Sequence, residues 1–252
     1  ISFFCNAGIR FIEEICKLRA FTRMWERIGL ERYGVTDEAQ RRFRYGVQVN
    51  SLGLTEAQPE NNVPRITLEA LGVTLSRDAR CRALQLPAWN EALGLPRPWD
   101  QQWALRIQQI LAYETDVLEY PDIFEGSIVI ERKTAEIEAA AWAEIARIDA
   151  QGGAIAAVES GYMKRELVES NARRMAAIES GERVVVGVNR FREAEPSPLL
   201  QGSDSILSVD EAQGREQIGS IARLVVAQRR DGEGVRLLTE HVAHRARDGR
   251  EP

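Results

Sequence analysis

Arg44, Gly46 and Gln48 fall at alternate positions of a β-rich run, Phe43–Val49, so on a strand they share one face with Arg42. An arginine beside a carboxamide suits an anionic or amide-bearing ligand. The guanidinium offers a fork of donors, and the amide offers both a donor and an acceptor. Gly46 removes the side chain between them and leaves room for a ligand to approach the backbone. The same residues can also form an interior layer whose polar groups satisfy one another, and spacing alone leaves both readings open. Other polar groups gather near expected strand C-terminal ends, where open-sheet and barrel enzymes place their sites. These are Ser2, then Asn50, Thr55, Glu56, Asn61 and Asn62, and then Gln85, Asn90 and Glu91. The Asn61-Asn62 pair reads first as an N-terminal cap for the helix that follows.

These residues include no activated nucleophile and no acid–base dyad, so none is assigned a catalytic role. That pattern suits an enzyme whose cofactor carries the chemistry while the protein binds, orients and shields. His241 and His244 are the only histidines, both in a polar C-terminal tail. A Ser-His-Asp triad or a histidine-rich zinc site in the body of the chain is therefore excluded. The spacing of the two histidines reads as a solvated tail, and no metal site is expected.

The elements that must position these groups follow from the apolar pattern. Ile1–Phe4, Phe43–Val49 and Arg82–Leu86 read as strands, each followed by a helical pattern: Gly8–Gly29, Val63–Leu75 and Trp99–Leu118. Such alternation predicts an α/β fold with a parallel sheet covered by helices. Three βα units cannot close a barrel, which takes eight units and about 250 residues. The alternation then stops. Glu131–Ala150 and Lys164–Ser180 read as amphipathic helices, Val184–Val188 as a further strand-like run, and Glu211–Arg229 as a last helix beyond the Pro-Ser-Pro segment at 196–198.

Composition sets the outer bounds. Of 252 residues, 44% are hydrophobic and 28% charged, enough apolar material for a core, and the net charge of -5 gives no clustered basic reason to expect nucleic acid. No apolar run of about 18 residues predicts a membrane span. Cys5, Cys16 and Cys81 form no C-x-x-C pair, and their odd number argues against a disulfide framework. They are expected to be buried free thiols of a cytoplasmic, reducing compartment. Ile1-Ser-Phe-Phe-Cys5 carries neither an initiator methionine nor a signal-peptide layout, and is expected to be a strand entered in mid-protein.

Four segments in order carry a resemblance: Ile1-Ser-Phe-Phe4 with Glu14-x-x-Lys17-x-Arg-Ala20, the Gln48–Arg65 block, Trp89-Asn-Glu-Ala-Leu-Gly-Leu-Pro96, and Val186-Gly-Val-Asn189. Over about its first 200 residues the chain resembles the large-subunit barrel of the methylmalonyl-CoA mutase family. Where the methylmalonyl and isobutyryl branches carry a histidine two residues after the arginine matching Arg44, this chain has Gly46. Where they read Ser-Leu-His-Thr-Asn, it has Ala83-Leu-Gln-Leu-Pro87, and Leu52 replaces a bulkier residue. These departures resemble the branch that converts ethylmalonyl-CoA to methylsuccinyl-CoA. Another mutase of the family, or a non-catalytic mutase-like subunit, is the alternative.

The resemblance implies the C-terminal part of a (β/α)8 barrel over residues 1–125, a helical extension packing on it over 126–193, and a linker over 194–252. It implies that Ser2, Arg44 and Gln48 line an acyl-CoA channel and that Glu91 meets the ribose of adenosylcobalamin. The family holds cobalt through an Asp-x-His-x-x-Gly motif in a separate cobalamin-binding domain, and this chain has no such motif. The expectation is a chain truncated at both ends and inactive alone, from a homodimeric enzyme whose partners are its acyl-CoA substrate and the cobalamin-binding domain of the intact protein, with no nucleic acid and no membrane.

Overall fold

The protein is described here from a computed structural model covering residues 2–197, 206–207 and 211–231. It forms two compact units, residues 1–206 and 207–252. The first unit is built on three parallel strands, β1 (Phe3–Ala7), β2 (Tyr45–Val49) and β3 (Ala83–Gln85), in that order across the sheet. The helix α1 (Phe11–Glu31) follows β1, a short α2 (Glu38–Arg41) leads into β2, α3 (Asn62–Leu75) follows β2, and α4 (Pro98–Tyr113) follows β3. Beyond them come α5 (Ile128–Ala150), α6 (Ala154–Glu159) and α7 (Tyr162–Glu179). The second unit contains α8 (Glu211–Asp231). No helix among the described residues is long and apolar enough to cross a membrane.

Alternation along the strands divides the sheet into two faces. Tyr45, Val47 and Val49 point to the helices and are buried, Tyr45 and Val47 in one cluster with Ala7, Leu18, Val73 and Ala79. A second cluster joins Val49 to Ile66 and Ala70 of α3, Trp89, and Ala104, Ile107 and Leu111 of α4. A third lies between α1 and α5, where Ile15 and Cys16 meet Ile130. α1 is held at its middle by polar contacts as well. Arg19, only 4% exposed, donates from Nη2 to Asp122 Oδ1 at 2.5 Å. Asp122 also accepts from the backbone N–H groups of Asp78 and Phe124 at 3.0 and 2.9 Å.

Several expectations shift. Ile1 lies outside the described residues and β1 begins at Phe3, so Ser2 precedes the strand. The helix expected over 99–118 ends at Tyr113. The segment after it turns back at Asp116–Glu119 to bring Asp122 under Arg19, which a continued helix would prevent. Val184–Val188 is a turn with one isolated bridge, Val186 to Arg190, rather than a strand. Gly187 adopts φ 83°, and the Asn189 side chain takes the N–H of Val185 and donates to the carbonyls of Ile178 and Arg183. Those bonds satisfy backbone groups that a ladder would otherwise need. Cys16 is buried, whereas Cys5 and Cys81 are half-buried at the sheet's margins, and all three are free. The Glu211–Arg229 helix is present as α8, two residues longer. His241 and His244 lie outside the described residues.

Candidate functional site

The sheet face turned away from the helices carries the candidate residues in three rows. The register pairs Asn6 with Gln48 and Gln48 with Gln85, so three carboxamides line up across the C-terminal ends of the strands. One step back, Phe4, Gly46 and Ala83 form the middle row. Arg44 sits a step before that, next to the N-terminal end of β2. The Phe3 N–H donates to the Arg44 carbonyl at 3.1 Å, which places Ser2 at the same end. Arg44 and Ser2 are exposed and Gln48 is half-buried. None of the side chains of Ser2, Asn6, Arg44, Gln48 or Gln85 has a hydrogen-bond or ion-pair partner among the described residues.

Two sequence expectations are corrected by this arrangement. Arg44 stands at the opposite end of the strand from Gln48, about 13 Å away at about 3.3 Å per residue. The candidates therefore form two polar ends of a track rather than one cluster. The room expected above Gly46 is taken by the ring of Phe4, since a Cβ at position 46 would lie 2.6 Å from Phe4 Cε2. Asn6 and Phe4 were missed as site residues. Strand alternation from Phe3 would have put both on this face, but an expected strand ending at Phe4 stops short of Asn6, and register across strands is not written in any one segment.

At the C-terminal rim, Asn62 does more than cap a helix. It is fully buried; its Oδ1 accepts from the Thr55 N–H at 3.0 Å and from Arg65 Nη1 at 2.8 Å. Its Nδ2 donates to the carbonyls of Thr55 and Trp89, both at 2.9 Å. Neither Asn61 nor Asn62 caps α3 by a side-chain bond; Asn61 donates instead to Gln58 Oε1 at 2.9 Å. Asn62 thus ties the loop after β2 to the loop after β3, the two loops flanking Gln48 and Glu91. Replacing Asn62 by Ala is expected to cost about 2–3 kcal/mol, because it strands several buried groups at once, readable as a lower denaturant midpoint with an unchanged slope. Asn50 closes the start of the same loop, accepting from the Leu52 N–H at 3.0 Å. Glu56 is exposed on it, Asn90 is fully buried, and Glu91 is exposed at the head of the short turn Glu91–Leu93.

The motif Glu14-x-x-Lys17-x-Arg-Ala20 has a structural meaning. Glu14 pairs with Lys17, and Lys17 Nζ donates to the Asn6 carbonyl at 2.7 Å, anchoring the end of β1. Behind this pair lies Glu69 of α3, only 2% exposed, with one carboxyl oxygen lacking a hydrogen-bond partner. Its pKa is raised to about 8, first by burial and then by the nearby charge of Glu14, with Arg65 opposing the shift. The turn around residues 186–191 docks on the same rim. Arg65 Nη2 donates to the Val186 carbonyl at 2.8 Å, and Gln58 Nε2 donates to the Phe191 carbonyl at 2.9 Å. Gly187 comes so close to Gln58 that a Cβ there would stand 3.0 Å from Oε1.

The track offers hydrogen-bonding groups and surface, and among the described residues it holds no nucleophile bonded to a base. Comparison with known proteins identifies what it resembles. The model of the methylmalonyl-CoA mutase family matches residues 1–248. This chain belongs to the methylmalonyl-CoA mutase family. It is 64% identical over 211 residues to an ethylmalonyl-CoA mutase of Methylorubrum extorquens, covering 84% of this chain and 31% of that one. It is 62% identical over 221 residues to an ethylmalonyl-CoA mutase of Cereibacter sphaeroides, covering 88% and 34%. A methylmalonyl-CoA mutase of Cereibacter sphaeroides is 35% identical over 250 residues, covering 99% and 34%. The chain thus spans about a third of the length of the curated relatives it matches.

Proposed function

We propose that the intact protein is an adenosylcobalamin-dependent mutase that interconverts ethylmalonyl-CoA and methylsuccinyl-CoA, and that the open sheet face is part of its acyl-CoA channel. The observation that carries the substrate choice is the gap in identity: 64% and 62% to two ethylmalonyl-CoA mutases against 35% to a methylmalonyl-CoA mutase. On this reading the three strands are the C-terminal part of a (β/α)8 barrel, residues 1–125. Residues 126–193 are a helical extension on it, residues 194–252 lead toward a cobalamin-binding domain, and the whole works as a cytoplasmic homodimer.

The geometry supports the channel in a definite way. An extended thioester with a polar group at each end matches a track whose polar ends lie about 13 Å apart. Arg44 and Ser2 donate to the phosphate or amide oxygens of the CoA arm. Gln48, with its carboxamide unspent, donates to the acyl carbonyl at the other end. Glu91 suits adenosylcobalamin. It is an exposed carboxylate on the rim after β3, has no ion-pair partner among the described residues, and can accept both hydroxyls of a ribose. When bound, that cofactor supplies the carbon radical that takes up and returns a substrate hydrogen. The residues of this chain hold the substrate in line and keep water off it.

The test is an assay of the intact protein with adenosylcobalamin against ethylmalonyl-, methylmalonyl- and isobutyryl-CoA. Highest kcat/KM is expected for ethylmalonyl-CoA, and a preference for either other thioester would overturn the assignment. Gln48→Ala is expected to lower kcat/KM about 100-fold, as removal of an oriented donor does. Arg44→Ala is expected to act mainly on KM, by about 10-fold, because its contact is remote from the reacting carbons.

A further inference from the structure

Between the two polar rows of the track lies a row with no polar side chain at all: Phe4, Gly46 and Ala83. Phe4 is 59% exposed, whereas the odd-numbered residues of β2 opposite it, on the helix side, are fully covered. Its ring does not stand upright. It lies across the neighbouring strand, so that a Cβ on Gly46 would meet Cε2 at 2.6 Å and both Cδ2 and Cζ at 3.1 Å. Contacts under 3.0 Å are not sustained, so any side chain at position 46 must move the ring. Ala83, on the far side of Gly46, is exposed and adds only a methyl group. The middle of the track is therefore a flat apolar plate whose one large component is the Phe4 ring, and glycine at 46 is what lets the ring lie flat.

We infer that Phe4, seated over Gly46, is the specificity-determining residue that sets which alkyl branch of the acyl group fits beside Gln48. The inference rests on the proposed acyl-CoA reading of this face and names the residue pair within it. The physical reason is contact area. With the acyl carbonyl at Gln48, a branch on the neighbouring carbon can fold back onto the adjacent row of Phe4, Gly46 and Ala83, and a flat ring there rewards a branch long enough to cover it. One methylene in an apolar pocket is worth roughly 10–200-fold in kcat/KM. That is the range in which an ethyl branch is told from a methyl branch.

The experiment uses the full-length holoenzyme and compares kcat/KM for ethylmalonyl-CoA and methylmalonyl-CoA in four proteins: unaltered, Phe4→Ala, Gly46→Ala and the double variant. Phe4→Ala is expected to shrink the ethyl-over-methyl ratio at least about 10-fold, acting on KM more than kcat, since the lost contact is made in ground and transition states alike. Gly46→Ala is expected to shrink the ratio in the same direction by tilting the ring. In the Phe4→Ala background, adding Gly46→Ala is expected to change the ratio less than 2-fold, because the ring it would displace is gone; this non-additivity is what direct contact predicts. A merely structural role for Phe4 would lower both substrates together and leave the ratio intact, and that result overturns the inference. Equal effects of Gly46→Ala in both backgrounds also overturn it. Phe4→Leu restoring at least half of the lost preference (on a logarithmic scale) separates loss of apolar cover from misfolding. Gln48→Ala serves as the control for the underlying reading. If it too leaves turnover unchanged, the face is not the acyl-CoA channel. If it lowers turnover while the Phe4 ratio stays fixed, only the present inference fails.

Discussion

Replacing Asp122 by Ala is expected to destabilise the protein by about 3–5 kcal/mol, the range found when one partner of a buried ion pair is removed. The side chains of Arg19 and Asp122 are only 4% and 3% exposed and meet at 2.5 Å. Without Asp122 the guanidinium stays buried, with Asp78 and Glu131 at 3.7 and 3.8 Å as its remaining carboxylates. The N–H groups of Asp78 and Phe124 lose their acceptor in the same stroke. Globular proteins hold about 5–15 kcal/mol in all, so this single change consumes a large part of the margin. Calorimetry should show the melting temperature falling by roughly 10 °C or more. An Arg19→Met, Asp122→Leu double variant should recover the part of the loss that comes from the stranded guanidinium, while the N–H groups of Asp78 and Phe124 stay without their acceptor. A loss below about 1 kcal/mol for Asp122→Ala would mean that the pair behaves like an exposed one.

Stability is also expected to fall as pH rises through the window set by Glu69. Its carboxyl titrates at its ordinary 4.5 in an unfolded chain and at about 8 in the folded protein, raised first by burial and then by Glu14. Between those values the folded protein keeps a proton that the unfolded chain has released. The extra stability is therefore complete below about pH 4.5, declines from there, and is lost once pH passes about 8. At about 1.4 kcal/mol per unit the whole window, 4.5 to about 8, corresponds to a loss on the order of 5 kcal/mol. Glu69→Gln keeps the shape and removes the titration. Its denaturant midpoint should be nearly flat in this group's contribution from pH 5 to 9, and it should exceed the unaltered protein's most at pH 8.5. Parallel pH profiles for the two proteins would show that Glu69 is solvated in the folded state.

The strand–helix alternation was legible because it is local. Ile15, Leu18 and Met24 fall at helical spacing and are buried in α1, and the odd residues of β2 are buried against helices. What was not legible depends on partners far away in sequence. Asn62 looks like a helix cap beside its neighbours, and only the fold reveals its bonds to Thr55 and, 27 residues on, to Trp89. Val184–Val188 has the β-branched composition of a strand, but the turn at Gly187 and the side chain of Asn189 decide its path. For the site, the choice of Arg44 and Gln48 came from one strand's alternation. Their separation into two ends, the amide row through Asn6 and Gln85, and the filling of Gly46 by Phe4 all depend on register between strands. The short helix α2 escaped notice because its cap, Asp37 accepting from the Ala39 N–H, opens a single turn without an apolar stripe.

The grip of Arg65 and Gln58 on the carbonyls of Val186 and Phe191 makes the rim a coupling element. The loop that holds Gln58 begins where β2 presents Gln48 and is pinned through Asn62, to which Arg65 of α3 also bonds, so the rim and the 186–191 turn share one set of bonds. Linkage between two such events runs equally in both directions. A ligand that draws the loop inward by favouring its docked state must strengthen its hold on residues 186–191 by the same factor by which a docked turn strengthens the ligand.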